Sequence, residues 1–333
     1  MSRRPAAPVG VAVAVGTTAV LGVGVLTLVP LGAGAWPVAQ VVALRGLLAA
    51  LAAAAAATLL VALLLVRGAR RTLVPLAVAC AVVAAAHGAV LAVRSVPTTD
   101  AEAAAAGPQG GGGDLVVLTF NTLDAVPAST LADLVTGVGA DVVALPETSR
   151  TTAGALADRL PPAGWQVLHA PSRVPHVAGT SLVVAAHVGT YPDVEPLDHR
   201  LGSLRARPDG DGPVLVAAHP LAPTGRAVMR AWRTEGEAVA AVCRSTPGVV
   251  VAGDLNATLD HPALRDTGPC VDAARAAGAG AHGTWPAAAP TLLAAPIDHV
   301  LVDERAWRVV DARVLPRVGA SDHRPLVAVL ARR

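Results

Sequence analysis

Polar side chains border most of the apolar segments in the second half of this sequence, where β-strands would begin or end. Carboxylates, side-chain amides and imidazoles at such positions can bind a hard cation or exchange a proton with a substrate. The candidates are Asn121 in LTFNTL, Glu147 in VVALPET, His219 in VLVAAHP, Asp254 and Asn256 in VVVAGDLNAT, Asp298 in PIDHVLV, and Asp322 and His323 in GASDHRPL. A single Asp or Asn after a strand is usually a turn residue, but six such coincidences favour one shared site.

The elements that position these residues are short runs rich in Val, Leu and Ala, which predict buried strands. The predicted strands are 114–121, 141–145, 181–186, 214–219, 249–255, 297–302, 307–315 and 325–330. The best predicted helices are 129–138, 151–160 and 226–244. Many strands interspersed with a few helices predict an α/β domain in which helices lie outside the sheets.

The segments GDLNAT and SDHRPL, with the weaker FN and PE pieces before them, resemble the endonuclease/exonuclease/phosphatase superfamily over essentially the whole of 114–333. The resemblance implies a DNase I-like fold, a sandwich of two β-sheets flanked by helices with the active site at one end. It also implies hydrolysis of phosphate esters with the help of a divalent cation. Together with the apolar N-terminal region, the sequence is similar to a membrane-anchored actinobacterial group of these proteins.

The resemblance assigns the metal ligands. It makes Glu147 the principal ligand of Mg²⁺, with Mn²⁺ as the alternative ion, and Asn121 a neutral oxygen partner. Asp322 adds a second carboxylate. Mg²⁺ retains several of its waters and therefore needs few protein ligands.

The catalytic residues also follow from the resemblance. Asp254 is expected to orient or deprotonate the attacking water, and Asn256 to hold that water or a phosphoryl oxygen. His323, oriented by Asp298, is expected to be an imidazolium near the phosphate. His219 would contact another phosphoryl oxygen and assist the leaving group. Whether Asp254 or His323 takes the proton stays open.

Several other residues receive structural interpretations. His299 should point away from Asp298 along the strand, and we interpret it as a packing residue. Trp285, in GTWPA, either lines the substrate entrance or packs in the core, and core packing is favoured. The remaining histidines of the domain are interpreted as surface or loop residues: His169, His176, His187, His199, His261 and His282.

The first 94 residues differ in character, since they contain seven Arg and no Asp or Glu. The apolar runs 9–31, 46–66 and 73–93 are each long enough to cross the ~30 Å hydrocarbon core of a bilayer. The first run exceeds the length of a signal-peptide core and two more follow it, so we expect a retained anchor of three transmembrane helices in 1–94. His87 within the third run is interpreted as a packing residue rather than a functional one.

The Arg distribution predicts the orientation. Five of the seven Arg fall on one side of the predicted spans, and only Arg45 and Arg94 fall on the other. The positive-inside rule therefore predicts a multi-pass cell-membrane protein with its N-terminus in the cytoplasm and everything after Arg94 outside it. Residues 95–113 are rich in Gly, Pro and Ala and predict a flexible linker to the catalytic domain, 114–333.

Composition bears on the substrate. The chain after residue 94 holds 19 Arg and 24 acids, a net charge of −5, and only 2% of the sequence is aromatic. A nuclease of this composition would have little net positive charge to neutralise phosphates and few aromatic side chains to stack on bases. The leading hypothesis is a membrane-anchored, extracytoplasmic phosphoesterase acting on phosphate ester or pyrophosphate bonds, with a phospholipid or polyprenyl pyrophosphate substrate at the cytoplasmic membrane.

Two other functions stay open. They are an extracellular DNase-like endonuclease acting on nucleic acid and a non-catalytic, membrane-tethered binding domain. The sequence also leaves open whether Cys243 and Cys270 form a disulfide, as an oxidising exterior would permit, or are two separate small buried residues. It indicates no oligomeric state.

Overall fold

A computed structural model describes residues 7–29, 32–66, 68, 70–98, 114–161 and 164–333. The N-terminal region forms four helices: α1 (Ala7–Leu28), α2 (Val38–Ala43), α3 (Arg45–Leu65) and α4 (Arg70–Arg94). Three of them, α1, α3 and α4, are long and apolar enough to cross a membrane and correspond to the three predicted spans. The sequence did not predict α2, a helix of six residues between α1 and α3.

The remainder of the described chain contains two six-stranded sheets. Its strands are β1 (Leu115–Thr119), β2 (Val142–Leu145), β3 (Trp165–Ala170), β4 (Thr180–Ala185), β5 (Thr190–Pro196), β6 (Leu204–Asp209), β7 (Leu215–Ala218), β8 (Val250–Asp254), β9 (Cys270–Asp272), β10 (Asp298–Asp303), β11 (Trp307–Val314) and β12 (Leu326–Arg332). The strand orders are β11-β12-β1-β2-β4-β3 and β5-β6-β7-β8-β10-β9. The pairs β1–β2 and β7–β8 are parallel, and the other strand pairs are antiparallel.

Helices α5 (Ala128–Val138) and α6 (Arg150–Ala157) cover the outer face of the first sheet, and α7 (Met229–Ser245) covers that of the second. The short helix α8 (Ala273–Ala276) packs instead in the cluster between the sheets. Alternation along the strands explains this layering, because successive side chains point to opposite faces. Val117 of β1 packs between the sheets, whereas Leu118 packs outward in the cluster that includes α5 residues. In the second sheet, Val250 faces the other sheet and Val251 faces α7. The predicted sandwich is confirmed.

The eight predicted strands are present with small differences at their ends, but β3, β5, β6 and β9 were not predicted. The sequence of β5, TYPDVEP, contains two prolines and two acids, and most of its side chains are exposed. Such an edge strand lacks the apolar signal of a buried strand. The strand β9 has only three residues and is defined by its pairing with β10.

The N-terminal helices, for which we keep the predicted name anchor, contact the two-sheet domain, for which we keep the predicted name catalytic domain. Five buried or nearly buried polar residues lie at this contact: Thr27, Arg45, His87, Arg94 and Asp260. We call them the anchor cluster. The guanidinium of Arg45 donates to both carboxylate oxygens of Asp260 at 3.1 and 2.5 Å, and Arg94 donates to the same two oxygens at 2.9 and 2.8 Å. Arg45 also contacts His87 Nδ1 at 2.8 Å and the carbonyl of Thr27 at 3.1 Å. The interpretation of His87 as a packing residue agrees with these contacts.

The predicted linker lies mostly outside the described residues, which end at Thr98 and resume at Asp114. At its start, the amide of Thr98 donates to the carbonyl of Ala276 at 2.8 Å, so the chain that leaves α4 is bonded to the catalytic domain.

The question left open for the cysteines has an answer in the structure. Cys243 on α7 and Cys270 on β9 form a disulfide that joins positions 27 residues apart. The bond ties the outer helix to the edge of the second sheet. Cys80, within α4, is free and buried.

Candidate active site

Four strand ends bring the predicted site residues to one edge of the sandwich. Asn121 and Glu147 each lie two residues beyond the ends of the parallel strands β1 and β2, and His219 directly follows β7. Asp254 is the last residue of β8, which runs parallel to β7. Because the carboxyl ends of parallel neighbours meet at the same edge, these side chains converge.

Two further residues reach the same edge from the opposite direction. Asp298 is the first residue of β10 and lies in register opposite Asp254 on the antiparallel strand β8. His323 precedes β12, whose partner is β1. The backbone amide of His323 donates to Ser321 Oγ at 2.9 Å, and Ser321 Oγ in turn donates to the carbonyl of Asn121 at 2.7 Å. We call Asn121, Glu147, His219, Asp254, Asp298 and His323 the catalytic cluster.

The local backbone is specialised around this cluster. Gly253, with φ of 158°, precedes Asp254, and a Cβ atom there would lie 1.9 Å from the carbonyl oxygen of Ala218. Only glycine permits this approach of β7 and β8, which sets His219 beside Asp254. Glu147 and Asn256 have φ values of 48° and 47°, a region that non-glycine residues adopt at a cost and chiefly where the surroundings hold them.

Asp254 is the centre of the catalytic cluster. The amide nitrogen of Asn121 donates to Asp254 Oδ2 and to Glu147 Oε1, both at 3.1 Å. The Nε2 atoms of His219 and His323 lie 3.6 and 3.7 Å from the same Asp254 oxygen. These two separations are longer than a hydrogen bond, and a water bound nearby could donate to the carboxylate and accept from the two rings.

His323 and Asp298 form a buried pair, with Nδ1 2.8 Å from Asp298 Oδ2. Burial by itself lowers the pKa of His323, but the carboxylates of Asp298 and Asp254 outweigh it and raise that pKa to about 10. His323 is therefore an imidazolium at neutral pH. Its Nδ1 donates to Asp298, which leaves Nε2–H directed toward Asp254 and the cleft.

His219 is neutral in contrast. Complete burial lowers its pKa to about 4, and the nearby carboxylate of Asp254 opposes that shift without reversing it. Its Nδ1 atom is buried without a hydrogen-bond partner. Its backbone amide donates to Ser203 Oγ at 2.7 Å, and His199 Nδ1 lies 2.8 Å from the same oxygen. His199 lies in a loop, as predicted, but it is 2% exposed and supports the residue that positions His219.

The carboxylates of the cluster favour a bound cation. Burial raises the pKa values of Asp254 and Glu147, which means that their charges are poorly compensated. Among the ion pairs of the described chain, Glu147, Asp254 and Asp298 pair only with histidines. Asp298 Oδ1 is buried with no partner, and ligand atoms of Asp254, Asp298 and His323 lie within 4.8 Å of one another. The carboxylate oxygens of Glu147, Asp254 and Asp298 fit a hard divalent cation, whereas the imidazolium of His323 has no free lone pair to offer it.

The remaining predicted site residues border the same cleft. The backbone amide of Asn256 donates to Asp254 Oδ1 at 2.9 Å, and its side-chain amide donates to the carbonyl of Pro220 at 3.0 Å. Asp322 Oδ2 accepts a hydrogen bond of 2.9 Å from the indole of Trp285. Trp285 is 38% exposed and lines the cleft, so the preference for core packing was wrong.

Two other histidines are buried and make structural contacts. His299 is buried, with Nδ1 2.7 Å from Asp272 and Nε2 2.8 Å from the carbonyl of Ala257, which confirms its packing role. His261 lies in a loop, as predicted, but it is buried there, at 1% exposure. It contacts the carbonyl of Ala39 at 2.9 Å, and therefore lies between the catalytic domain and α2.

The cleft has a volume of about 430 Å³. One of its walls was not predicted from the sequence. That wall consists of Ala39, Gln40, Ala43 and Leu44 from the anchor. Nothing in the local sequence of α2 signals proximity to a site more than 70 residues away along the chain. From the sequence, the six residues of α2 are expected only to connect two apolar spans.

Comparisons with known structures agree with this architecture. A domain described as endonuclease/exonuclease/phosphatase from Beutenbergia cavernae shares 23% sequence identity, with a TM-score of 0.52, over 66% of this chain and 72% of that one. The human nocturnin catalytic domain, solved with a bound sulfate, shares 16% identity with a TM-score of 0.52 over 66% and 95% of the two chains. D. rerio TDP2, solved with a single-strand DNA product, shares 15% identity with a TM-score of 0.51 over 65% and 98%.

The sequence comparisons define the family. No curated protein matches this sequence. The profile of the Endonuclease/Exonuclease/phosphatase family matches residues 99–323, about two thirds of the chain. That family hydrolyses phosphate ester bonds. With the two-sheet sandwich and the site at its edge, this match shows that the chain belongs to the Endonuclease/Exonuclease/phosphatase family.

Proposed function

We propose that this protein is a membrane-anchored, divalent-metal-dependent phosphoesterase that hydrolyses a phosphate ester or pyrophosphate bond of a lipid-linked substrate outside the cytoplasm. The observation that carries the proposal is the convergence of the catalytic cluster on Asp254, beside the unpartnered carboxylate oxygen of Asp298. An unpartnered buried carboxylate oxygen is costly unless a ligand binds it.

Glu147, with Asp322 beside the same cleft, would hold the ion, and Mg²⁺ is favoured over Mn²⁺ as the hard cation for such oxygen ligands. The expectation that Asn121 is an oxygen ligand does not fit its orientation, because its amide oxygen accepts from the backbone amide of Leu123 at 3.1 Å and its nitrogen faces the carboxylates. When bound, the ion would neutralise charge on the phosphoryl oxygens. Asn121 donates to both Glu147 and Asp254, so it fixes the spacing of these two carboxylates. The group formed by Asp254, Asp298 and His323 is the alternative position for the ion, and a cation bound there would have to displace the proton on His323 Nε2 into solvent.

Asp254 is our choice for the residue that accepts the proton of the attacking water. His323 carries its proton already, because Asp298 and Asp254 keep it cationic, and is better suited to donate to a phosphoryl oxygen. Asp298 orients the imidazolium through the contact of 2.8 Å. The roles are therefore divided between a base and a cation that share one edge of the cleft.

His219 and Asn256 would position the substrate. His219 is neutral and its Nε2 faces Glu147 and Asp254 at 3.9 and 3.6 Å, which suits it to donate to a bound oxygen between them. The side-chain amide of Asn256 has a second N–H besides the one bonded to Pro220, and that hydrogen is available to water or phosphate.

Location and charge support a lipid-linked substrate. Three helices are long and apolar enough to cross a membrane, and tethering beside a bilayer raises the effective concentration of lipid-borne esters. The disulfide between Cys243 and Cys270 supports an oxidising, extracytoplasmic compartment. The net charge of −5 after residue 94 disfavours tight binding of a polyanion.

The test uses the full-length protein in lipid nanodiscs. We expect it to hydrolyse phospholipid or polyprenyl pyrophosphate headgroups, to lose that activity with a chelator and to regain it with Mg²⁺. Plasmid DNA is the competing substrate. A preference for DNA with a steep inverse salt dependence would replace the lipid proposal with the endonuclease function, and absence of hydrolysis of any ester would favour the binding domain.

The orientation has its own test. A reporter fused after Arg333 should be active only outside the cytoplasm, because three crossings from a cytoplasmic N-terminus place the C-terminus there. A fusion at the N-terminus is the matched control and should report the cytoplasm. A cytoplasmic C-terminal signal contradicts the proposed location.

A further inference from the structure

The cleft beside the catalytic cluster connects two chemically different regions. The residues that line it include the polar Glu147, Asp254 and His323 and the apolar Ala43 and Leu44 of the anchor. Leu44 directly precedes the first residue of α3, a helix long enough to cross a membrane. The cleft therefore extends from the catalytic carboxylates to the end of the membrane-spanning helices.

The position of the anchor wall is determined by specific contacts. His261 Nε2 lies 2.9 Å from the carbonyl of Ala39, and the side-chain amide of Gln40 donates to the carbonyl of Pro223. A Cβ atom on Gly46 would lie 1.6 Å from the carbonyl oxygen of Leu292, so the start of α3 rests directly on the backbone of the catalytic domain. Together with the anchor cluster, these contacts hold α2 in place as one wall of the cleft.

The rim of the cleft is apolar as well. The large apolar side chains that the described catalytic domain leaves exposed are Leu123, Val194, Trp285 and Leu292. Leu123 and Trp285 line the cleft, and Leu292 lies against α3. Exposed aliphatic and Trp side chains beside the ends of membrane spans are typical of a surface that meets lipid.

From this arrangement we infer that the anchor-lined end of the cleft binds the hydrocarbon chain of an amphiphilic phosphate ester while its phosphate lies on the catalytic cluster. The inference rests on the proposed function and assigns its substrate class: esters whose alkyl or prenyl chain begins next to the phosphate. The α2 segment, VAQVVA, has no charged side chain. Each methylene buried against it adds affinity, whereas the repeated phosphates of a nucleic acid would find no cation there.

Chain length is the variable that tests the inference. Methyl p-nitrophenyl phosphate and hexadecyl p-nitrophenyl phosphate have the same leaving group and differ only in the alkyl chain. For the full-length protein in nanodiscs, we expect Ala43→Trp to lower kcat/KM for the hexadecyl ester at least about tenfold and for the methyl ester less than about twofold, since the indole fills only the apolar end. Val41→Trp, on the same helix but outside the cleft, is the matched control and should change neither.

Equal losses on the two esters with Ala43→Trp, or no loss on either, would overturn the inference and leave the proposed phosphoesterase intact. If the wild-type protein hydrolyses neither ester, the proposed function fails. A measurement that does not depend on turnover is then needed to judge the chain site separately.

Photolabelling provides that measurement. A hexadecyl phosphate that carries a diazirine close to its phosphate should label residues 38–44 of the full-length protein, as mapped by mass spectrometry. Excess hexadecyl phosphate should compete and inorganic phosphate should not. Ala43→Trp should abolish the labelling and Val41→Trp should preserve it. Label confined to α1, α3 and α4, with none in α2, would show that the chain stays in the bilayer and contradict the inference.

Discussion

The catalytic cluster and the anchor cluster are both buried and polar, but they differ in how completely their atoms are paired. In the anchor cluster, two guanidinium groups surround one carboxylate, and the remaining donors of Arg45 contact His87 and Thr27. Within the described part of the chain, no buried side-chain nitrogen or oxygen of this cluster lacks a hydrogen-bond partner. In the catalytic cluster, His219 Nδ1 and Asp298 Oδ1 lack partners.

The difference distinguishes a structural contact from a binding site. Burial raises the pKa of Asp254, because that carboxylate has little compensation. Burial also opposes the ionisation of Asp260, but the hydrogen bonds and charges of Arg94 and Arg45 outweigh it and bring the pKa of Asp260 to about 2. A carboxylate whose charge is already satisfied holds two parts of a protein together, and one whose charge is not satisfied can bind a ligand.

The largest effect is expected for Asp254→Asn. Loss of the central carboxylate should lower kcat for a chromogenic phosphodiester by about 10³-fold, the range attributed to general-base groups. The melting temperature should not fall, because an isosteric amide removes an uncompensated buried charge. Asp193→Asn, at an exposed position, is the control for both measurements. Activity within tenfold of wild type would remove Asp254 from the proposed mechanism.

Asp260→Asn should act in the opposite way, on stability rather than chemistry. Removing one partner of a buried ion pair costs about 3 kcal/mol, and here two guanidinium groups would lose their counter-charge. We expect the anchor to separate from the catalytic domain, as detected by increased amide exchange around 258–264. Asp198→Asn, which breaks the exposed pair with Arg173, is the matched control and should change little. Unchanged exchange would contradict the assigned role of the anchor cluster.

The next prediction distinguishes the two positions for the ion. Glu147→Gln should weaken activation by Mg²⁺ about a hundredfold, because even the outer partners of metal ligands account for ten- to hundredfold in affinity. Asp298→Asn should lower kcat with little change in the Mg²⁺ concentration required, since Asp298 orients His323. The reverse pattern would place the ion among Asp254, Asp298 and His323. Titration of activity and of bound metal measures both variants.

The smallest effect concerns acid. The pKa of Asp260 is lowered from its ordinary value of 3.8 to about 2 in the folded protein. Its stabilising contribution, about 2 kcal/mol, is therefore present above pH 4 and is lost as the pH falls from 4 to 2. Protonation of Asp254, whose pKa is raised, has the opposite sign. The protection factors of the amides around 258–264, which are corrected for the intrinsic pH dependence of exchange, should fall over this interval in the wild type and stay constant in Asp260→Asn.

The candidate site could be predicted from the sequence to the extent that its residues lie at strand ends. Asn121, Glu147, His219 and Asp254 follow apolar runs that end at one edge, and periodicity reveals such runs. The sequence did not reveal that Asn121 bridges two carboxylates through its nitrogen. Hydrogen-bond partners depend on side-chain orientation, which spacing along the chain does not specify.

The helix α2 and the residue Asp260 were missed for a related reason. Their roles depend on contacts across more than 160 residues of sequence, such as Arg94 with Asp260 and Ala39 with His261. His261 carried no local sign of burial, because a histidine beside Pro262 in a polar loop is usually exposed. The edge strand β5 was missed because its prolines and acids resemble those of a loop.

The sequence by itself determined the elements and their chemistry: three apolar spans, alternating strands, and carboxylates and imidazoles at the ends of those strands. These properties are local, since hydrophobic periodicity and residue type are enough to express them. Only the tertiary structure decided which buried charges are compensated and that the anchor forms one wall of the catalytic cleft. Compensation and enclosure depend on which distant residues come within a few ångströms of one another, and the folding of the whole chain determines that.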